Sequence, residues 1–248
     1  MKAMVLAAGL GTRLRPLTND RPKALVEVAG RTMLEITLAR LRDFGIRDVI
    51  INVHHFADMV EAYLRANSNF GMRIEISRED DLLLDTGGGL RKASWFFQDQ
   101  SGEEAPFLVH NVDVISNIDL NRMLSSHSAN RALATLAVQS RETSRYLLFD
   151  ESLELCGRKS VRDGKEERVR PAQNPQPLAF SGVHIISPRF ISLLTENNAF
   201  SIIDSYLRLA AQGEKIVGFR ADEYFWRDLG KPEQIAQAAA DMKAGRLN

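Results

Sequence analysis

The sequence predicts an α/β protein with a Rossmann-like, three-layer, mostly parallel sheet, helices on both faces, and a smaller second portion. Three observations predict it. The runs Met4–Ala8, Val49–Val53 and Pro106–Val112 are largely apolar, as strands covered on both faces are. Segments with helical spacing separate them, as βαβ crossovers require. The first run ends in Gly9-Leu10-Gly11, a strand-to-loop turn of the kind that binds ligands beyond the carboxyl ends of parallel strands.

Element by element, Met4–Ala8 reads as the first strand. Leu34, Leu38 and Leu41 recur at helical spacing, and Gly45 ends that helix. Val49–Val53 is the second buried strand. Phe56–Leu64 reads as a helix, Met72–Ser77 as an alternating strand, and Leu90–Phe97 as a helix with Trp95, Phe96 and Phe97 in the core. Pro106–Val112 follows as a strand. Beyond it the pattern is less regular. Ala132–Gln139 and Arg145–Phe149 read as strands, with a turn near Asp150–Ser152. Asp163–Pro177 is polar and reads as an exposed loop. Ala179–Ile186 returns to the sheet. Ser201 caps a helix running to Ala211, Tyr224–Leu229 is a strand, and Pro232 opens a last helix that ends at Gly245.

Composition narrows the function. Thirty-two basic residues balance 32 acidic ones, so no global field draws in nucleic acid and any phosphate binding is local. Cys156 is the single cysteine, which rules out a disulfide framework or a cysteine zinc cluster within one chain. No run approaches the ~18 apolar residues of a membrane span. Arg13 and Arg15 stand where a signal-peptide cleavage site would fall, and only Lys2 precedes the apolar run. A cytoplasmic protein with no membrane partner is expected. Oligomeric state is not legible. Hexapeptide repeats of an appended β-helix are not seen.

Three chemistries compete for the first glycine loop. A P-loop requires Gly-Lys followed by Ser or Thr, which occurs nowhere. The dinucleotide fingerprint requires a third glycine, where Leu14 stands, and an acid after the second strand, which reads Asn52-Val53-His54. The third is a nucleoside triphosphate loop: bare amides of Gly9, Gly11 and Thr12 form an anion-binding concavity, and Arg13, Arg15 and Lys23 add positive charge. His54 and His55 are adjacent on a strand and point to opposite faces, so local packing or hydrogen bonding is expected of them, not a shared metal. Asn111 is favoured over His110, at the rim, for a nucleotide contact.

The string Gly9-Leu10-Gly11-Thr12-Arg13-Leu14-Arg15-Pro16-Leu17-Thr18, followed by Pro22-Lys23-Ala24-Leu25 and Val28-Ala29-Gly30, closely resembles the nucleotidyltransferase family that makes nucleotide sugars. The resemblance implies a single domain over residues 1–248, with a nucleotide-binding half to about 115 and a sugar-binding, C-terminal half from about 116. It implies a nucleoside triphosphate and a sugar 1-phosphate as partners. It also implies Mg²⁺ held by Asp113, after Asn111-Val112, and by Asp228, in Trp226-Arg227-Asp228-Leu229-Gly230.

Leu6, Ala8, Gly9, Gly11, Thr12, Arg13, Lys23 and Asn111 would bind the nucleotide, with Gly87 and Gly88 of Thr86-Gly87-Gly88-Gly89 against base and ribose. Arg13 would stabilise departing pyrophosphate, and Lys23 would draw two anions together. Glu79 and Asp80 would read a base edge. Gly182 of Ser181-Gly182 would lie near the sugar.

Two departures touch the sugar pocket. The Glu-Lys-Pro loop of many members reads Val169-Arg170-Pro171-Ala172, and Arg-Tyr-Gly reads Arg145-Tyr146-Leu147. The first departure, the length and the Thr-Gly-Gly-Gly loop resemble N-acetylmuramate-1-phosphate uridylyltransferases, which favours UTP. Heptose- and mannose-1-phosphate guanylyltransferases are the alternative, with GTP. A silent sugar-nucleotide sensor and an NAD-dependent dehydrogenase are the rivals from other classes.

Overall fold

The computed structural model describes residues 1–98 and 105–246. In chain order they form β1 (Ala3–Leu6), β2 (Glu27–Val28), β3 (Arg31–Thr32), α1 (Met33–Asp43), β4 (Asp48–Val53), α2 (Ala57–Ala66), β5 (Arg73–Arg78) and α3 (Asp85–Lys92). Then come β6 (Phe107–Asn111), β7 (Val114–Ser116), α4 (Leu120–Asn130), β8 (Ala134–Gln139), β9 (Arg145–Phe149), β10 (Leu155–Ser160) and β11 (Glu166–Arg168). The chain closes with β12 (Gln176–Ile186), α5 (Arg189–Ser192), α6 (Ile202–Ala211), β13 (Ile216–Arg220), β14 (Trp226–Asp228) and α7 (Pro232–Lys243).

The first half is the expected parallel sheet, ordered β5-β4-β1-β6. Alternation along it feeds two cores. Ala3, Val5, Val49 and Ile51 pack on Leu34 and Leu38 of α1 and Val60 of α2, while Met4, Ile50 and Val109 pack on Leu90 of α3 and Tyr206 of α6. Both faces are covered, which is why these strands carry apolar residues at successive positions. α1 starts where Thr32 Oγ1 accepts from the Glu35 amide at 3.0 Å, and α6 where Ser201 Oγ accepts from the Ile203 amide.

The second half is mostly antiparallel, with β13 adding to β8 in parallel. β12 pairs with β6, β8 and β9, and β9 continues into β10 and β11. The long polar stretch is therefore not one exposed loop: β11 hydrogen-bonds to β10, and β12 already begins at Gln176. Its side chains are solvated, so hydrophobic alternation could not mark this edge hairpin.

The helix expected over Leu90–Phe97 begins five residues earlier, at Asp85, and stops at Lys92. A single 3-10 turn follows and leaves Trp95 51% exposed, whereas Phe97 stacks on Phe107 inside the core. α4 was not anticipated. Its apolar positions are few, and its start depends on Asp119, whose carboxylate accepts from the amides of Asn121 and Arg122. Among the described residues, no helix is long and apolar enough to cross a membrane.

Candidate active site

β1 lies between β4 and β6, and connections leave it in opposite directions. The crevice at such a reversal is the usual ligand site in open α/β sheets. Leu6 stands opposite Asn111 at the two carboxyl ends. Beyond them opens a cavity of about 430 Å³, lined by Leu6, Ala8, Gly9, Lys23, Asn111 and Asp113, with Asn52, Asp85 and Thr86 on its far wall. Among the described residues, the amides of Ala8, Gly9, Leu10 and Gly11 have no acceptor within the chain. Gly9 and Leu10 are exposed and Gly11 half-buried, so these amides are open to solvent and free to take an anion, as successive amides in such a loop do. Gly11 turns the loop at φ +64°, and its carbonyl accepts from Thr18 Oγ1 at 2.9 Å. Thr12 and Arg13 then enter one 3-10 turn, outside the cavity wall.

Two carboxylates remote in sequence meet at the cavity mouth through a small antiparallel ribbon. β14 pairs with β7 so that Asp228 faces Val114, and the Leu229 amide donates to the Asp113 carbonyl at 2.8 Å. Burial pushes the Asp228 carboxyl above its ordinary range, and the charge of Asp113 adds to that push. Three cations oppose them. Lys23 Nζ, on a side chain only 10% exposed, donates to Asp113 Oδ2. Arg13 and Asp228 flank Gly230, where a Cβ would lie 2.7 Å from Arg13 Nη2 and 2.9 Å from Asp228 Oδ2. The charge of Arg141 also acts on Asp228. Three cations thus surround the two carboxylates, while Asp85 adds a third carboxylate on the far wall of the cavity.

The second glycine run behaves differently from expectation. Gly87 and Gly88 are buried and do not line the cavity, and both of their amides donate to the Phe200 carbonyl. A Cβ on Gly87 would sit 2.3 Å from the Phe200 ring, and one on Gly88 2.6 Å from the Asn198 carbonyl. On the side a Cβ would occupy these glycines admit protein, and Leu83, Asp85 and Thr86 line the cavity. Glu79 is also reassigned. It is 1% exposed, accepts from Asn52 Nδ2 at 2.7 Å and from the Leu84 amide at 2.9 Å, and so cannot read a base edge. Asn52 Oδ1 in turn accepts from the Ala7 amide at 2.8 Å, so one buried relay ties the first glycine loop to the second.

His110 is wholly buried beneath the site, not at its rim, and desolvation holds its imidazole down to about 4. His54 bonds the Glu79 carbonyl and His55 packs on Phe56, as local roles predicted. Gly182, at φ +73°, is buried where β12 bulges; a Cβ there would meet Asn111 Nδ2 at 2.9 Å, so it gives Asn111 its room.

A second cavity, of about 790 Å³, opens between the β9–β11 strands and the start of α6. Arg145, Tyr146, Lys159, Phe180 and Ser201 line it. The segment Ala199–Ser201 separates the two cavities, with Ala199 on the first and Ser201 on the second.

The nucleotidyl transferase family model matches residues 2–245. The chain belongs to this family. N-acetylmuramate alpha-1-phosphate uridylyltransferase of Caulobacter vibrioides is 38% identical over 97% of the chain and 96% of its own length. The protein of the same description from Neisseria meningitidis is 30% identical, over 97% of both. Mannose-1-phosphate guanylyltransferase of Mycobacterium tuberculosis is also 30% identical over 98% of the chain, but the match spans 65% of that longer protein. Two solved structures share the fold at 20% identity and a TM-score of 0.75. One is HddC from Yersinia pseudotuberculosis complexed with GMP-PN, over 97% and 99% of the two chains. The other is UDP-glucose pyrophosphorylase complexed with UDP-glucose, over 98% of each.

Against the pattern of the nucleotidyl transferases, the departures in the second half have a structural expression. Arg170 donates to Glu154 at 2.6 Å and borders a separate shallow hollow with Arg168 and Pro171. The sequence reading missed Asn52, Arg141 and Gly230. For Asn52, an amide at the end of an otherwise apolar strand was a usable signal.

Proposed function

We propose that this nucleotidyl transferase moves the nucleotidyl group of a nucleoside triphosphate, UTP before GTP, onto a sugar 1-phosphate. The product is a nucleotide sugar, and pyrophosphate leaves. The observation that carries the reading is the charge cluster of Lys23, Asp113, Arg13 and Asp228 at the mouth of a cavity whose loop amides are open. The preference for UTP is supported by the two uridylyltransferase relatives, which match the chain over nearly their whole length. The acceptor favoured is an acidic one such as N-acetylmuramate 1-phosphate. Arg145, which has no ion-pair partner among the described residues, lines the second cavity.

In the reaction, an oxygen of the acceptor phosphate forms a bond to the α-phosphorus. The bond from that phosphorus to the β-phosphate oxygen breaks, and pyrophosphate takes the electron pair. The acceptor carries about −1.5 to −2 charge near neutral pH and needs no base. The chain's tasks are positioning and charge neutralisation. Amides of Ala8 to Gly11 hold the triphosphate, Arg13 takes charge that builds on pyrophosphate, and Lys23 screens Asp113 from the incoming anions.

Asp113 and Asp228 would hold Mg²⁺. They fit the ion, since burial and like charge already make Asp228 an unfavourable anion. When bound, the ion would supply charge neutralisation at the α-phosphate. Pyrophosphate release measured over a matrix of nucleoside triphosphates and sugar 1-phosphates, with and without chelator, tests the reading. Turnover with UTP and an acidic sugar phosphate is expected. Preference for GTP and mannose 1-phosphate would establish the guanylyltransferase alternative, and no turnover with any pair would end the reading.

A further inference from the structure

Arg141 follows β8 in a stretch, Ser140-Arg141-Glu142-Thr143, that reads as ordinary surface. The structure puts it elsewhere. Its guanidinium carbon lies over the Trp226 ring, 3.6 Å from the centroid, within reach for a cation–π contact. Nη2 donates to the Phe180 carbonyl at 2.7 Å. Trp226 is itself fixed, donating from Nε1 to the Ser181 carbonyl at 2.8 Å, and it lies two residues before Asp228 on β14. The guanidinium is thus held between Trp226, two residues before Asp228, and Phe180, which lines the second cavity.

Its charge is not compensated. Nε is buried without an acceptor, and among the described residues Arg141 makes no ion pair. Two other arginines of the second half are neutralised, Arg158 by Asp204 at 2.6 Å and Arg170 by Glu154 at 2.6 Å, whereas Arg145, like Arg141, is not paired among the described residues. Desolvation pulls Arg141 below its ordinary value, against the opposing charge of Asp228. A half-buried cation with open donors is an unfavourable arrangement that a bound anion would relieve.

The acceptor is the anion that arrives on this side. Its phosphate must approach Asp113 and Asp228, and Lys23 is already engaged by Asp113 while Arg13 lies across Gly230 on the loop side. Resting on the reaction proposed above, we infer that Arg141 binds the phosphate of the sugar 1-phosphate, setting its free oxygen toward the α-phosphorus. Phosphate rather than the sugar ring is the group recognised, because a guanidinium fork matches its oxygens.

Arg141→Met keeps a long side chain against Trp226 and removes the charge; Arg141→Lys keeps the charge and loses the fork. Acceptor and nucleotide are varied separately in steady state, and binding of the sugar 1-phosphate and of the same sugar without phosphate is followed by calorimetry. The acceptor KM is expected to rise roughly ten- to hundredfold in Arg141→Met, as loss of a charged hydrogen bond does. Arg141→Lys should recover part of it, with the nucleotide KM held within about twofold in both. Affinity for the unphosphorylated sugar should not move. Arg170→Ala serves as the control and should leave both KM values in place.

An unchanged acceptor KM in a variant of normal melting temperature would overturn the assignment. So would a parallel rise of both KM values. Wild-type turnover in the same experiment separates the two ideas, since an inactive wild type sinks the reaction itself and an active one leaves Arg141 alone on trial.

Discussion

The two glycine runs have similar composition and opposite physical roles. Gly9 and Gly11 belong to a loop whose amides face an open cavity, and a Cβ on Gly9 would meet nothing within 4 Å. Gly87 and Gly88 lie inside α3, where a Cβ would collide with Phe200 and Asn198 and where both amides are bonded to protein. The first run leaves donors unsatisfied for a ligand. The second removes side chains so that the Asn198–Phe200 segment can close the cavity wall. Substitution of Gly9 in the first should therefore alter chemistry at constant stability, and substitutions in the second should alter stability first; Gly11, at φ +64° with Thr18 2.9 Å from its Cβ position, is held by the turn itself.

The largest effect is expected at the first loop's cation. Lys23→Ala removes the ammonium from Asp113 and from the bound phosphates, and turnover should fall by ~10²–10³-fold or more, the loss typical for one preorganised electrostatic donor. Pyrophosphate release reads it directly. A loss under about tenfold would mean that Lys23 serves the fold through its ion pair and not the reaction. Next comes the relay between the loops. Glu79→Ala strands the buried Asn52 Nδ2 and the half-buried Leu84 amide, and should lower unfolding free energy by about 1–3 kcal/mol. Urea unfolding measures it, and a neutral result would deny that the two loops are mechanically joined.

Gly87→Ala ranks third. Its Cβ, built 2.3 Å from the Phe200 ring, requires that ring to move, at a cost of ~1–3 kcal/mol. Pairing it with Phe200→Leu should recover part of the loss, a coupling that a double-mutant cycle isolates. If Gly87→Ala instead left stability intact and raised the nucleotide KM, the two runs would share one role after all.

The same contrast explains why the surroundings of one run were legible in the sequence and those of the other were not. The Gly9–Thr18 string must present amides and cations in fixed order to a polyanion, so its chemistry is written along a continuous segment. The Gly87–Gly88 partners, Asn198 and Phe200, lie far along the chain, and nothing local distinguishes a glycine that admits a base from one that admits a phenyl ring. Asp113 and Asp228 were readable as strand-end carboxylates, but the ribbon of β7 and β14 that joins them was not. Arg141 carried no periodic signal, because its role depends on Trp226 arriving from the other end of the second half. The parallel strands declared themselves by apolar runs. β11 and the second half of β10 did not, because their pairing rests on backbone bonds between side chains that are largely solvated, while only the Leu155 end of β10 enters the core.

The smallest effect is the sharpest test of the first loop. Gly9→Ala adds a methyl group into open space at an unstrained position, so unfolding free energy should stay within the ~0.5 kcal/mol scatter of neutral substitutions. The same methyl stands where the chain backbone would approach phosphate oxygens, and glycine is required only if something comes that close. The nucleotide KM should rise a few-fold while the acceptor KM holds, as measured with each substrate in turn. An unaltered nucleotide KM would leave the open amides without a ligand and move the triphosphate site away from the Ala8–Gly11 cradle.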